Sequence, residues 1–85
     1  MNGPELLEHA AGIVARRRRD YGEPVELFEA VAARWSLTLG TKISPAQVVL
    51  CLIDLKMTRL ARDPKHQDSI VDVADYAAVL RGLVR

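Results

Sequence analysis

The sequence predicts an all-α fold, a compact bundle of about four helices. Apolar residues recur at helical spacing in four stretches, proline or glycine punctuates each junction, and no segment shows the strict alternation of a half-buried strand. Connections of roughly three to six residues remain between the stretches, as in helical bundles. No internal repeat or linker divides the chain, so residues 1–85 form a single helical domain.

The first helix opens with Pro4 in its first turn and carries Leu6, Ala10, Ile13 and Val14 on one face. It runs into "RRRR", residues 16 to 19, where cations favour the negative end of the helix dipole, and Gly22 is placed to end it in a left-handed cap. The second helix starts near Pro24, and Phe28, Val31, Ala32, Trp35 and Leu39 make its stripe before Gly40 stops it. Ser44 as N-cap and Pro45 at the first helical position begin a third helix that reaches about Arg62, and Pro64 forbids its continuation. Asp68 or Ser69 is placed to cap a fourth helix.

Composition sets the limits on function. The chain has 85 residues, 49% of them hydrophobic and 27% charged, which suits one modest core whose stability is marginal unless subunits share burial; a homo-oligomer is expected. With 12 basic and 11 acidic residues the formal net charge is +1, so no global field draws the protein to nucleic acid or an anionic membrane. The N-terminal residues lack the pattern of a signal peptide, and no apolar run approaches the ~20 residues that span a bilayer, so the cytoplasm, of a bacterium or of a host cell, is the expected location. The single cysteine, Cys51, lies in an apolar run and is expected to be a small buried hydrophobe.

Charges fall in unexpected places on the last two helices. At about 100° per residue, Val49, Leu52, Ile53 and Leu60 lie within roughly 60° of Lys56, with Arg59 at the margin, while Gln47, Asp54, Thr58 and Arg62 gather on the opposite side. Lys56 is therefore central to an apolar stripe and must snorkel or be paired, since an isolated buried charge is costly. On the fourth helix Asp68, Asp72, Asp75 and Val79 share a stripe opposite Ile70, Val73, Ala77 and Leu80, and small residues fill the flanks, which predicts contact on more than one side. A tight connection makes these two helices antiparallel neighbours and brings Asp68 or Asp72 within reach of Lys56 or Arg59. Spacing alone does not separate a structural ion pair from a ligand site.

Other chemistries find less support. Glu26 with Glu29, and Asp72 with Asp75, resemble the paired carboxylates of MazG-type all-α nucleotide pyrophosphatases, which hold Mg2+ against phosphate, but Glu26 falls nearly opposite the Phe28 and Trp35 stripe. His9 and His66 suggest no zinc site, and Ser69 is better explained by capping than as a nucleophile. The four arginines spread around the helix axis, and "AQVVLCL" is too apolar for the start of a DNA recognition helix, so nucleic acid is not the expected partner.

The segments "RRRRDYGEP", "FEAVAARWS" and "ISPAQVVLCLIDLKMTRLARDPKHQDSIVDVADYAAV" resemble a family of small phage and prophage proteins catalogued as a domain of unknown function. Its pattern joins R-x-x-x-Y-G, an aromatic residue and Trp on the next helix, L-K-x-x-R, and D-S-x-x-D-x-x-x-Y. Arg17, Asp20, Tyr21, Gly22, Phe28, Trp35, Lys56, Arg59, Asp68, Asp72 and Tyr76 match in order, over about residues 12 to 80; Asp75, where the family usually has Gly, and Asp54, usually apolar, depart from it. The resemblance implies a phage setting and an all-helical fold, and it selects Arg17, Tyr21, Trp35, Lys56, Arg59, Asp68, Asp72 and Tyr76 as ligand-binding candidates. That set is richer in cations and aromatic rings than in Mg2+ ligands. It favours binding of a nucleotide or nucleotide-derived signal, without catalysis, metal or cofactor, in a role against host defence. The alternatives are an Mg2+-dependent NTP pyrophosphatase, a helical adaptor for protein or DNA, and a purely structural ion-pair network.

Overall fold

A computed structural model describes residues 1–84 and contains four helices: α1 (Gly3–Tyr21), α2 (Pro24–Leu39), α3 (Pro45–Arg62) and α4 (Gln67–Leu83). Two helix starts are closed by reciprocal caps. Asn2 Oδ1 accepts from Glu5 N at 2.9 Å while Glu5 Oε1 accepts from Asn2 N, and Ser44 Oγ accepts from Gln47 N at 3.1 Å while Gln47 Oε1 accepts from Ser44 N at 2.8 Å. At the start of α4 the cap differs from expectation. His66 is the N-cap, its Nδ1 accepting from Ser69 N, and Ser69 Oγ lies 2.7 Å from the same ring nitrogen. A ring nitrogen there does what Asp68 or Ser69 was expected to do, so the helix begins at Gln67 and Asp68 remains exposed in its first turn.

The core forms around Phe28, Ala32, Val48 and Val49, with Trp35, Leu52, Ile53, Tyr76 and Val79 packed against it. Val48 and Val49 are fully buried, a contribution of about 1.5–3 kcal/mol each relative to exposure. The α3 stripe is oriented as its periodicity predicts: Leu52, Ile53, Lys56 and Leu60 are half-buried, and Gln47, Asp54, Thr58 and Arg62 are exposed. Cys51 corrects the expectation of burial. It is exposed, because it stands about 140° from Lys56 on the wheel and the unbroken apolar run conceals which face it occupies. Leu39 is likewise exposed at the last turn of α2, beyond the packed part of its stripe.

α4 is the central helix. It packs on α3, on α1 and, more lightly, on α2, which accounts for its small residues on several sides. α1 rests on α4 through Leu6, Ala10, Ile13 and Val14, the face that periodicity selects. At the α1–α2 corner Gly22 has φ +82° and ψ −164°, a conformation open to glycine and costly for other residues. It is an extended mirror-image turn instead of the left-handed cap expected, whereas Gly40, with φ 69° and ψ 23°, is such a cap. The sharp corner lets Arg18 grip Glu23 across it with two hydrogen bonds of 2.9 Å.

Candidate functional site

Along the seam of α1 with α4 and the start of α2 the surface is hollowed. A cavity of about 360 Å³ is walled by Val14, Arg17, Arg18 and Tyr21 from the end of α1, Gly22, Pro24, Leu27 and Phe28 from the corner and α2, and Asp75, Tyr76 and Val79 from α4. A broader hollow of about 690 Å³, lined largely by Leu7, Ala11, Ala15, Ala74 and Ala78, shares Asp75 and Arg18 with it. Arg17 and Tyr21, one helical turn apart on α1, line the smaller cavity together with Asp75 and Tyr76 of α4, Tyr21 remaining largely exposed.

Asp75 is the chemically distinctive member of this cavity. Only 2% of it is exposed, and neither Oδ1 nor Oδ2 has a hydrogen-bond partner. Its nearest cation is Arg17, whose guanidinium nitrogen lies 3.9 Å from Oδ2, beyond hydrogen-bonding distance. Burial pushes the Asp75 carboxyl up from its ordinary value; the charge of Arg17 opposes that, nearby Asp72 adds to it, and His9 opposes it weakly. A buried carboxylate with no hydrogen bond and one long ion pair is uncommon in folded proteins, where buried polar atoms are normally hydrogen-bonded.

Lys56 and Asp72 form a second polar feature. Lys56 Nζ lies 2.9 Å from Asp72 Oδ2, with 14% and 23% of the two side chains exposed. The lysine on the apolar stripe is thus paired across the α3–α4 contact, with Asp72, one of the two carboxylates that antiparallel packing brings within reach. The other two members of that expected cluster do not join it: Arg59 and Asp68 are exposed and form no ion pair among the described residues. Trp35 is half-buried against the core and lies outside the cavity lining. Of the eight sequence-derived candidates, the structure gathers Arg17, Tyr21 and Tyr76 at one cavity and sets Lys56 and Asp72 together as an ion pair.

Asp75 is absent from those candidates because it departs from the resembled pattern. Its signal in the sequence is the acidic stripe of α4 that it shares with Asp68 and Asp72. Glu26 and Glu29 are both exposed, and among the described residues no three His, Cys, Asp or Glu side chains gather as a metal-binding group. Ser69 is fully buried and held by the His66 cap, so its hydroxyl is out of a substrate's reach.

Residues 5–84 match the family described as "Domain of unknown function (DUF6378)". The chain belongs to this family. Similar relatives include the Gene 55 protein of Mycobacterium phage L5, 38% identical over 77 residues that make up 88% of this chain and 49% of the relative. The Gene 55 protein of Mycobacterium phage D29 is 34% identical over 73 residues, 85% of this chain and 48% of the relative. The chain therefore spans about half the length of these phage relatives. No solved structure matches the chain. Membership agrees with the phage-family resemblance carried by the R-x-x-x-Y-G and D-S-x-x-D-x-x-x-Y segments, and no described helix is long and apolar enough to cross a membrane.

Proposed function

We propose that this member of the DUF6378 family binds a nucleotide or nucleotide-derived signal in the cavity at the α1–α2 corner, without turning it over. In the phage setting of its relatives, such a protein acts in the bacterial cytoplasm as an oligomer and withholds the signal from host defence. The observation that carries this reading is the convergence of Arg17, Tyr21 and Tyr76 on one cavity of about 360 Å³, with Asp75 ion-paired to Arg17 in its wall. That volume accommodates a nucleobase. Two tyrosine rings supply stacking surfaces, Tyr21 exposed and Tyr76 half-buried, and Arg17, with 54% of its side chain exposed, is within reach of a phosphate at the mouth. Arg16 and Arg19 add exposed positive charge nearby.

Calorimetry and thermal shift against nucleoside mono-, di- and triphosphates and cyclic dinucleotides test the reading. Saturable binding is expected, weakened about tenfold or more by Arg17→Ala, the loss of one charge-assisted contact. A panel with no binding removes the proposal. Recovery of the ligand intact after incubation with Mg2+ is also expected, and release of pyrophosphate would replace the binding reading with an enzymatic one.

A further inference from the structure

The single chain exposes more surface than its size calls for. Its accessible surface is 6139 Å², whereas a folded monomer of 9.4 kDa exposes about 5,000 Å². The excess, about 1,100 Å², is of the order that one stable interface removes from each partner, about 800 Å². The radius of gyration, 13.7 Å, likewise exceeds the value of about 12 Å for a compact chain of 85 residues. The surplus traces to α1. Among the described residues this helix buries Ala10 alone, and it rests on α4 while most of its residues stay exposed.

The hollow of about 690 Å³ opens along that α1–α4 contact. At about 100° per residue, Leu7, Ala11, Ala15 and Arg18 share one face of α1, roughly a quarter-turn round from Ala10. Leu7 projects there, while Ala11, Ala15, Ala74 and Ala78 keep the lining low. A projecting leucine and a hollow of small residues on one face fit each other under a two-fold rotation, which is the isologous geometry of a C2 dimer. Charge points to the same partner. The first half of α1 carries Glu5 and Glu8, and the second half carries Arg16 to Arg19, which outweigh Asp20. Two antiparallel α1 helices set each acidic half beside the other's basic half, whereas a parallel pair sets arginines against arginines.

We infer that this face is a dimer interface: α1 of one copy lies antiparallel in the α1–α4 hollow of a second copy, about a two-fold axis beside Ala11. The helices α1 and α4 and their two mates then form a four-helix bundle. Leu7 and Ala15 stand equally far on either side of Ala11, so Leu7 of each copy seats against Ala15 of the other. Alanines on both sides let the helices approach closely, and the leucine leaves water. The inference deepens the oligomer named in the proposed function and does not depend on the ligand.

Native mass spectrometry and cross-linking with a short bismaleimide test it. Wild type at micromolar concentration is expected at twice the single-chain mass. Ala11→Cys, in a Cys51→Ser background, is expected to be linked into a covalent dimer, because position 11 lies at the axis. Arg19→Cys in the same background is expected to stay largely unlinked, since antiparallel pairing separates its two copies by about 24 Å along the helices. A single-chain mass for the wild type overturns the inference and leaves nucleotide binding, read separately by calorimetry, standing. A dimer that Ala11→Cys cannot link overturns it as well. So does linkage of Arg19→Cys as efficient as that of Ala11→Cys, which means parallel packing, or efficient linkage of the wild type through exposed Cys51, which moves the contact to α3.

Discussion

Asp75 carries a cost that should be measurable without any ligand. Burial holds its folded-state pKa above the ordinary 3.8 of the unfolded chain. Below pH 3.8 both states are protonated and the group imposes no penalty. As pH rises from there to the elevated folded value, the unfolded chain releases its proton while the folded chain keeps it, so stability falls; above that value the penalty is complete and constant. Asp75→Asn is therefore expected to raise Tm at neutral pH by a few degrees, with the gain shrinking toward zero as the buffer is taken below pH 3.8. Scans of the two proteins across pH 3 to 8 check it, and a gain independent of pH would contradict the assignment. The sequence places Asp68, Asp72 and Asp75 on one stripe but does not reveal that the three meet different surroundings. Asp68 stays exposed in the first turn, Asp72 turns to α3, and Asp75, about 60° from Asp72, turns to α1. Periodicity within one helix identifies a face, and only the neighbouring helices decide what covers each turn of it.

Between elements, the Lys56–Asp72 pair joins α3 to α4 at a place where both helices are otherwise apolar or small. Its partial exposure lets water moderate the desolvation cost, and as a structural pair it contributes more to register than to stability. Lys56→Met alone leaves Asp72 unpaired and is expected to lower unfolding free energy by about 1–3 kcal/mol. Lys56→Met with Asp72→Leu is expected to restore or exceed wild-type stability, and urea unfolding of the four proteins in a double-mutant cycle measures the coupling. If the double variant remains as destabilised as the single ones, the pair is a stabilising device and its replacement by apolar contact fails. This pairing was legible because a lysine in the middle of an apolar stripe has few outcomes, and an antiparallel neighbour with a carboxylate at the right height supplies one. The capping chemistry of α4 was less legible: His66 accepts through a ring nitrogen, and sequence reasoning ranks Asp and Ser ahead of it.

At the scale of the whole molecule, α2, α3 and α4 surround the core, while α1 rests almost wholly on α4 and turns Leu7 outward, 63% exposed. Leu7, Ala11 and Ala15 lie with Ala74 and Ala78 around the hollow of about 690 Å³, a shallow apolar trough beside the cavity at the α1–α2 corner. Small residues on both banks allow another helix to approach closely, and a chain of this size gains much of its possible stability by sharing such surface with another copy. The oligomer proposed above is therefore expected to use this trough. Asp75 and Arg18 line both hollows, so subunit contact there would narrow access to the corner cavity and further shield Asp75 from water. Native mass spectrometry is expected to give a multiple of the single-chain mass, and Tm is expected to rise with protein concentration. Leu7→Arg should shift the mass to one chain and remove the concentration dependence, because a charge in the trough opposes its burial. A single-chain mass for the wild type at micromolar concentration would exclude the assembly, and an oligomer unaffected by Leu7→Arg would place the subunit contact elsewhere.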